Sequence, residues 1–201
     1  MAKLSEEQKL ARRLQILNAG WRCFDRNGLH ATRMDDIIAE AGLSAGAVYS
    51  YFKNKDDLVQ AALTTSMTGL AERLRPMLES DNPAPPAVLL EDIASAIEAF
   101  TKRDGFDLKR IALLGWAESQ RDEKLKGIMR AFYDAFLAQF MGCIARWKAA
   151  GVLNGSADTE PLARALLALL LGYTVQAAVV GGINPSILRQ GVEELAPSRA
   201  S

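Results

Sequence analysis

The most informative part of the sequence is GLSAGAVYSYFKNKDDL, from Gly42 to Leu58. Ser44 has the side chain that a helix N-cap requires, and Val48 and Phe52 follow at helical spacing, so a helix is predicted to begin after Ser44. Gly46 lies in the first turn of this helix, although glycine costs a helix about 1 kcal/mol relative to alanine. The first turn therefore carries almost no side chain, and the reason for that must lie outside the helix.

A short helix is also predicted immediately before this stretch. Thr32 and Asp35 have the spacing of a capping box, apolar residues follow at helical spacing, and Gly42 ends the pattern. Two short helices joined by three or four residues that include a glycine form the helix-turn-helix pattern. The helix after Ser44 is therefore predicted to be the second helix of such a motif.

Helical patterns cover almost all of the remaining chain. Helix one is predicted from apolar residues spaced three or four apart before Gly28, namely Leu10, Leu14, Leu17, Trp21 and Phe24. Asn54 is placed to cap a fourth helix, which we expect to end where Pro76 disturbs it. After the loop Ser80–Ala87, five further patterns occupy residues 86–103, 107–119, 122–150, 158–182 and 185–195.

Because strand alternation persists nowhere, the sequence predicts an all-α fold of about nine helices. We expect two domains, a helix-turn-helix domain at residues 1–55 and a second helical domain at residues 56–201. The first of these lies at the basic end of the chain, since residues 1–55 hold nine basic and six acidic side chains, a net charge of +3. The whole chain of 201 residues is neutral, with 24 basic and 24 acidic residues, and its 49% apolar content is ordinary for a soluble globular protein.

Cysteine use and the N-terminal sequence indicate a reducing, cytoplasmic compartment. Cys23 and Cys143 lie in helical apolar patterns, as buried free thiols do, and the N-terminal MAKLSEEQKLARR has no apolar core resembling a signal peptide. Leu162–Gly182 is long and apolar enough to raise the question of a membrane span, but Arg164 and two other polar residues interrupt it. We therefore predict a buried helix there and no membrane association.

Tyr49 and Tyr51 bear on the role of the bare helix. Side chains two positions apart on a helix point in directions about 200° apart. The two tyrosines therefore cannot both face one core, and at least one hydroxyl must project outward. One interpretation is a recognition helix in the DNA major groove, whose first turn is small because backbone N–H groups bind phosphate best when nothing bulky intervenes. The alternative is a helical hairpin whose tyrosines pack on a neighbouring helix and whose Gly46 is small because another helix lies against it.

The longer stretch ATRMDDIIAEAGLSAGAVYSYFKNKDDLV, Ala31–Val59, resembles the DNA-binding domain of the tetracycline-repressor (TetR) family of bacterial regulators. The likeness lies in the Gly-Leu-Ser turn, the Tyr-x-Tyr-Phe element and the Lys-x-Lys after it, and it covers about residues 12–60. It implies a homodimeric regulator, usually a repressor, that binds a double-stranded DNA operator and is released by a small molecule. It also implies that the last two helices pack against their symmetry mates as a four-helix bundle.

The same resemblance implies a set of DNA contacts. By position in the motif these are Thr32, Ser44, Ala45, Gly46, Ala47, Tyr49, Ser50, Tyr51 and Lys55. Alanines in the first turn can contact a thymine methyl but cannot hydrogen-bond a base. Base specificity is therefore expected to depend on Tyr49, Ser50, Arg33 and the shape of the DNA.

The second domain is expected to bind the effector. The residues that we predict to line its pocket are Phe100, Phe106, Trp116, Met129, Tyr133, Phe136 and Tyr173. The alternative for each is a place in the plain core, since aromatic residues at helical spacing are usually packed inside. A largely apolar pocket implies a hydrophobic or aromatic small molecule.

Other classes of function compete with DNA-binding regulation. An enzyme with a histidine relay is disfavoured, because His30 is the only histidine and no cysteine or serine is placed to pair with it. Phosphate-loop, zinc-binding and paired-carboxylate motifs do not stand out, so no cofactor and no metal is predicted. A helical protein-interaction module without DNA activity stays open, as does an activator of the same fold.

Overall fold

Local sequence signals set most helix limits in the computed structural model, which describes residues 5–195. The predicted domain limits at residues 1 and 201, and the first four residues of the N-terminal segment, lie outside the described residues. The helices are α1 (Glu6–Ala31), α2 (Met34–Ala41), α3 (Ala45–Tyr49), α4 (Lys55–Leu78), α5 (Pro86–Thr101), α6 (Leu108–Glu118), α7 (Glu123–Ala149), α8 (Thr159–Val179) and α9 (Ser186–Leu195). Two short strands, β1 (Lys102–Arg103) and β2 (Phe106–Asp107), lie between α5 and α6.

The predicted all-α fold of nine helices is confirmed for residues 5–195. The one addition is the antiparallel β1–β2 hairpin, which turns at Gly105 with φ +85°. Helix α4 continues through Pro76 to Leu78, so the expectation that it ends at the proline is wrong. A proline removes one backbone donor but does not prevent the turn that follows it.

Helix α1 is less deeply buried at its start than its apolar stripe predicts. Leu10 and Leu14 are 58% and 38% exposed, whereas Leu17 is fully buried. Apolar spacing identifies the inward face of a helix, but it does not say how far along the helix a partner extends. The helical geometry breaks at Gly28, φ +78°, where the sequence predicts that helix one stops.

The described residues form two compact units. The first holds those up to Met67 together with Lys102–Leu125, and the second holds Thr68–Thr101 and those from Lys126 onward. The first unit thus contains the hairpin and α6 in addition to the helices of the predicted helix-turn-helix domain. The division by function at residue 55 stays a prediction.

In the first unit, α1 packs against α2 on one side and against α6 and β2 on another. Trp21 of α1 stacks on Phe106 of β2 with ring centroids 5.8 Å apart. Further along the same helix, Asp25 pairs with Arg110 of α6 at 3.5 Å. The segment formed by β2 and α6 is therefore fastened to α1 by an apolar contact and an ion pair.

In the second unit, α5 contacts both α8 and α9, and its apolar face joins the buried side chains of α7. Trp147 of α7 is 1% exposed, and its indole N–H donates to the carbonyl oxygen of Ala84 at 2.9 Å. Both cysteines are buried and free, as predicted. Burial raises the pKa of the Cys143 thiol, which keeps that side chain protonated in the core.

Helix α8 is long and apolar enough to cross a membrane, and within residues 5–195 it is the only helix that meets both criteria. Leu166, Leu170 and Tyr173 are at most 5% exposed and belong to the core of the second unit. In contrast, Leu169 and Val179 are 39% and 70% exposed. The prediction of a buried helix is therefore correct for one face only, and the opposite face is apolar and uncovered in the protomer.

Candidate nucleic-acid interface

A left-handed glycine sets the turn between α2 and α3. Gly42 has φ +65°, a conformation that glycine adopts without the steric cost of a Cβ, and its N–H donates to the carbonyl oxygen of Ala39 at 3.2 Å. Two residues later, the Ser44 hydroxyl accepts a hydrogen bond from the Ala47 N–H at 3.3 Å, as predicted for an N-cap. Three residues thus join the two helices in a helix-turn-helix.

Helix α3 presents one face to the core and one to solvent. Val48 is fully buried, and Phe52, just after the helix, is 3% exposed. The exposed face comprises Ser44, Ala45, Gly46, Tyr49 and Ser50. Its first turn is therefore both bare and accessible.

Gly46 has open space around it. A Cβ built on its backbone would have no heavy atom within 4 Å beyond its own turn. A Cβ on Gly20 of α1 would instead meet Cδ2 of Leu58 at 2.7 Å. Close packing thus explains the glycine in α1 but not the one in α3, so the alternative that another helix lies against Gly46 is wrong.

The side chains at the end of α3 differ in what they can offer a ligand. Tyr49 is 46% exposed and Tyr51 is half-buried, so the expected outward hydroxyl belongs to Tyr49. The Ser50 hydroxyl donates to the carbonyl oxygen of Ala47 at 2.7 Å, which leaves it only its acceptor positions. Tyr49 is therefore the large exposed side chain of α3 that can donate a hydrogen bond to a base or a phosphate.

Thr32 does not cap α2 with its side chain as the sequence predicts. It is 1% exposed, and its hydroxyl donates to the carbonyl oxygen of Gly28 at 2.7 Å. Helix α2 is capped one residue later, where the Asp36 carboxylate accepts a hydrogen bond from the Arg33 N–H at 2.7 Å. The predicted capping box of Thr32 and Asp35 is therefore wrong, because the Thr32 hydroxyl bonds to the end of α1 instead. Its side chain is not available to DNA, whereas the Arg33 side chain is exposed.

The two lysines of the Lys-x-Lys element are held differently. The Lys55 ammonium donates to the carbonyl oxygens of Leu29 and His30 at 3.0 and 3.2 Å, which satisfies acceptors at the end of α1. An ammonium has three donors, so one stays available for a phosphate. Lys53 is exposed, and within residues 5–195 its ammonium has no hydrogen bond or ion pair.

An ion-pair cluster fastens α2 to α1. The Glu40 carboxylate accepts hydrogen bonds from Nε of Arg22 at 2.7 Å and from a terminal nitrogen of Arg26 at 3.0 Å. The hydrogen bond from Arg26, followed by that from Arg22, holds the pKa of the Glu40 carboxyl below its usual range. The first helix of the motif is thereby fixed on α1 at the end nearest the turn.

Comparison with known proteins agrees with this geometry. Residues 16–62 match the family described as "Bacterial regulatory proteins, tetR family", and residues 90–197 match "BetI-type transcriptional repressor, C-terminal". Together these matches take in the helix-turn-helix and more than half of the chain. The chain belongs to the TetR family of transcriptional regulators. As a member of that family it is a DNA-binding transcriptional regulator.

Individual relatives of this TetR-family regulator are of moderate similarity. It is 30% identical over 141 residues to the uncharacterized HTH-type transcriptional regulator YfiR of Bacillus subtilis, covering 69% of this chain and 66% of YfiR. It is 26% identical to the HTH-type transcriptional regulator PksA of the same organism, covering 88% of this chain and 82% of PksA. A solved structure of a transcriptional regulator from Saccharomonospora viridis, in complex with choline, has a TM-score of 0.76 at 26% identity, covering 93% of this chain and 95% of that one. All three of these proteins are described as transcriptional regulators.

The predicted effector-pocket residues of the TetR-family regulator divide between the two units. Phe136 and Tyr173 lie in the core of the second unit at 6% and 2% exposure. Met129, Tyr133 and Phe100 are half-buried in the same unit. Phe106 and Trp116 belong to the first unit instead, where Phe106 stacks on α1. Aromatic content alone does not tell which unit a side chain packs into, because that depends on the path of α6.

Sequence reasoning missed two polar features of the regulator. In the second unit, the Tyr173 hydroxyl donates to the Glu98 carboxylate at 3.1 Å, and burial raises the pKa of that hydroxyl far above its usual value. In the first unit, the guanidinium of Arg13 lies over the ring of Phe52. Neither pair is close in sequence, so no local spacing signals it.

Proposed function

We propose that this regulator is a repressor that binds a near-palindromic operator as a homodimer and leaves it when a small, largely apolar molecule binds. The observation that carries the DNA-binding part is the exposed first turn of α3, where Gly46 has no heavy atom within 4 Å beyond its own turn. A turn that is open to solvent yet stripped of side chains is suited to close approach by a nucleic acid backbone or base edge. The family membership supports the same function.

The proposed DNA-facing surface follows from which side chains are exposed or half-buried. It comprises Arg33, Ser44, Ala45, Gly46, Ala47, Tyr49, Ser50, Tyr51 and Lys53. The third donor of Lys55 is available for a phosphate at its edge, whereas the buried side chain of Thr32 is left out of the surface. Because the first turn lacks hydrogen-bonding side chains beyond Ser44, discrimination between bases depends on Tyr49, Arg33, thymine methyl contacts and DNA shape.

Dimerisation through α8 and α9 is supported by their uncovered apolar side chains. Five of these are Leu169, Val175, Val179, Val180 and Ile187, whose exposed fractions run from 37% to 74%. Several exposed apolar side chains on neighbouring helices of a protomer are typical of a subunit interface. A two-fold dimer in turn places two recognition helices on two half-sites, so the operator is expected to be near-palindromic.

A small-molecule effector is supported by the choline complex of the Saccharomonospora viridis regulator, which is similar over nearly the whole chain. The half-buried aromatic residues of the second unit, such as Phe100 and Tyr133, favour a largely apolar molecule. A regulator of this kind acts where the DNA is, and we propose a cytoplasmic location.

A mobility-shift assay on the promoter beside the gene for this protein tests the proposal. The expected result is a saturable shift that competitor DNA of unrelated sequence does not remove, and that one member of a metabolite panel reverses. A shift that unrelated DNA abolishes at equal concentration would refute operator recognition. A specific shift that activates a linked reporter gene, instead of silencing it, would replace the repressor by an activator.

A further inference from the structure

Several cations of the first unit already have a carboxylate partner. Lys9 pairs with Glu6 at 2.6 Å, and its pKa is raised chiefly by that hydrogen bond. Arg22 and Arg26 share Glu40. The charge of each of these side chains is already paired with a carboxylate of the protein, so they are poorer candidates for a phosphate contact.

Arg13 is different. Its guanidinium carbon lies 5.4 Å from the centroid of the Phe52 ring, and within residues 5–195 no carboxylate lies at ion-pair distance from it. A guanidinium that stacks on an aromatic face keeps its N–H donors in its own plane, free of the ring. The ring of Phe52 is itself 3% exposed and held in the core, so it is a fixed support for the guanidinium.

The contact between Arg13 and Phe52 lies beside the proposed DNA-facing surface in the sequence. Phe52 directly follows Tyr51 of the proposed DNA-facing surface and directly precedes Lys53, which is also an unpaired cation within residues 5–195. We propose that Arg13 binds a DNA phosphate, so that α1 adds a contact outside the helix-turn-helix. This inference rests on the DNA-facing surface proposed above. The planar, bidentate donor set of arginine suits a phosphate better than the point charge of a lysine.

A purely structural role for Arg13 makes a different prediction. Its aliphatic stem and guanidinium would then serve only to cover Phe52, and the charge would not matter. Arg13→Met separates the two, because methionine keeps an unbranched stem near the ring and removes the charge. Arg13→Lys keeps the charge and loses the planar stack. Lys102→Met is the matched control, since it removes one unpaired, exposed cation of the same unit, on the β1–β2 hairpin.

The experiment measures DNA affinity by fluorescence anisotropy between about 50 and 200 mM salt, the range over which phosphate contacts weaken strongly. The probes are the promoter fragment and a scrambled duplex, and melting temperature is recorded for each variant. Arg13→Met is expected to reduce the slope of log affinity against log salt by about 0.9 per subunit on both probes, because a phosphate contact carries no sequence information. Lys102→Met should leave the slope unchanged, and Arg13→Lys should keep most of it.

Each other outcome is decisive. An unchanged slope in Arg13→Met overturns the proposal, as does an equal reduction in Lys102→Met, which would indicate only a change in net charge. If Arg13→Met lowers the melting temperature, Arg13→Lys decides: a retained slope supports the phosphate contact, and a slope lost with the charge still present refutes it. Wild-type protein that binds neither probe would instead refute the proposed function itself.

Discussion

Gly46 offers the sharpest test of the proposed DNA-facing surface. Because a Cβ at this position would have no heavy atom within 4 Å beyond its own turn, Gly46→Ala and Gly46→Val should fold without strain. Alanine should gain about 0.4–1 kcal/mol of stability from the loss of glycine's freedom in the unfolded chain. For a chain of 201 residues this corresponds to a rise in melting temperature of about 1–4 °C. Valine has a lower helix propensity than alanine, so Gly46→Val should be close to neutral.

Operator affinity should move in the opposite direction. If DNA approaches the first turn of α3 closely, the isopropyl group of Gly46→Val displaces the turn and at least one base contact is lost. A base contact contributes about 1–3 kcal/mol, so we expect the affinity to fall about tenfold or more for valine and less for alanine. Mobility shift or anisotropy measures the affinity, and differential scanning fluorimetry measures the stability.

Gly20→Val is the matched control for Gly46→Val. The substitution is the same, but the new Cβ would lie 2.7 Å from Cδ2 of Leu58, which is itself fully buried. Overpacking of this kind costs about 1–3 kcal/mol, so the melting temperature should fall by several degrees. The reasoning is refuted if Gly46→Val keeps full operator affinity, or if it loses as much stability as Gly20→Val does.

Three further predictions concern the exposed apolar face of α8, the two lysines of the Lys-x-Lys element and the ion pairs of Glu40. Leu169→Asp should give folded monomers, as measured by light scattering. Leu170→Asp should instead unfold the protein, because the Leu170 side chain is only 2% exposed. A folded Leu169→Asp dimer would place the interface elsewhere. Lys53→Met should reduce the slope of log DNA affinity against log salt by about 0.9 per subunit without changing the melting temperature. Lys55→Met should also lower the melting temperature, because the hydrogen bonds of Lys55 to the end of α1 are lost. Equal melting temperatures of the two variants would contradict the structural role of Lys55. Glu40→Gln should lower the melting temperature at pH 7. Because the folded-state pKa of Glu40 is depressed, its stabilisation is present above the unfolded-state pKa and is lost as pH falls through the folded-state pKa, so a difference that persists at pH 2 would count against the ion-pair cluster.

Features that depend on a few neighbouring residues could be predicted from the amino-acid sequence alone. Gly28 and Gly42 adopt positive φ where the sequence places helix ends, and Ser44 caps α3 as predicted. Asn54 likewise accepts a hydrogen bond from the N–H of Asp57 at the start of α4. Caps and left-handed turns join groups within four residues of one another, so the information for them is local. The Gly-Leu-Ser turn of the helix-turn-helix is encoded by neighbouring residues in the same way.

Features whose partners lie far apart along the chain could not be predicted without the folded structure. Threonine is a residue type that caps helices, but the Thr32 hydroxyl donates its hydrogen bond to the end of α1. Gly20 and Gly46 look alike in sequence, and only the position of Leu58 makes one of them a packing contact. Arg13 meets Phe52 across 39 positions of sequence. In each case a side chain has more than one favourable local state, and the packing of a distant element selects among them.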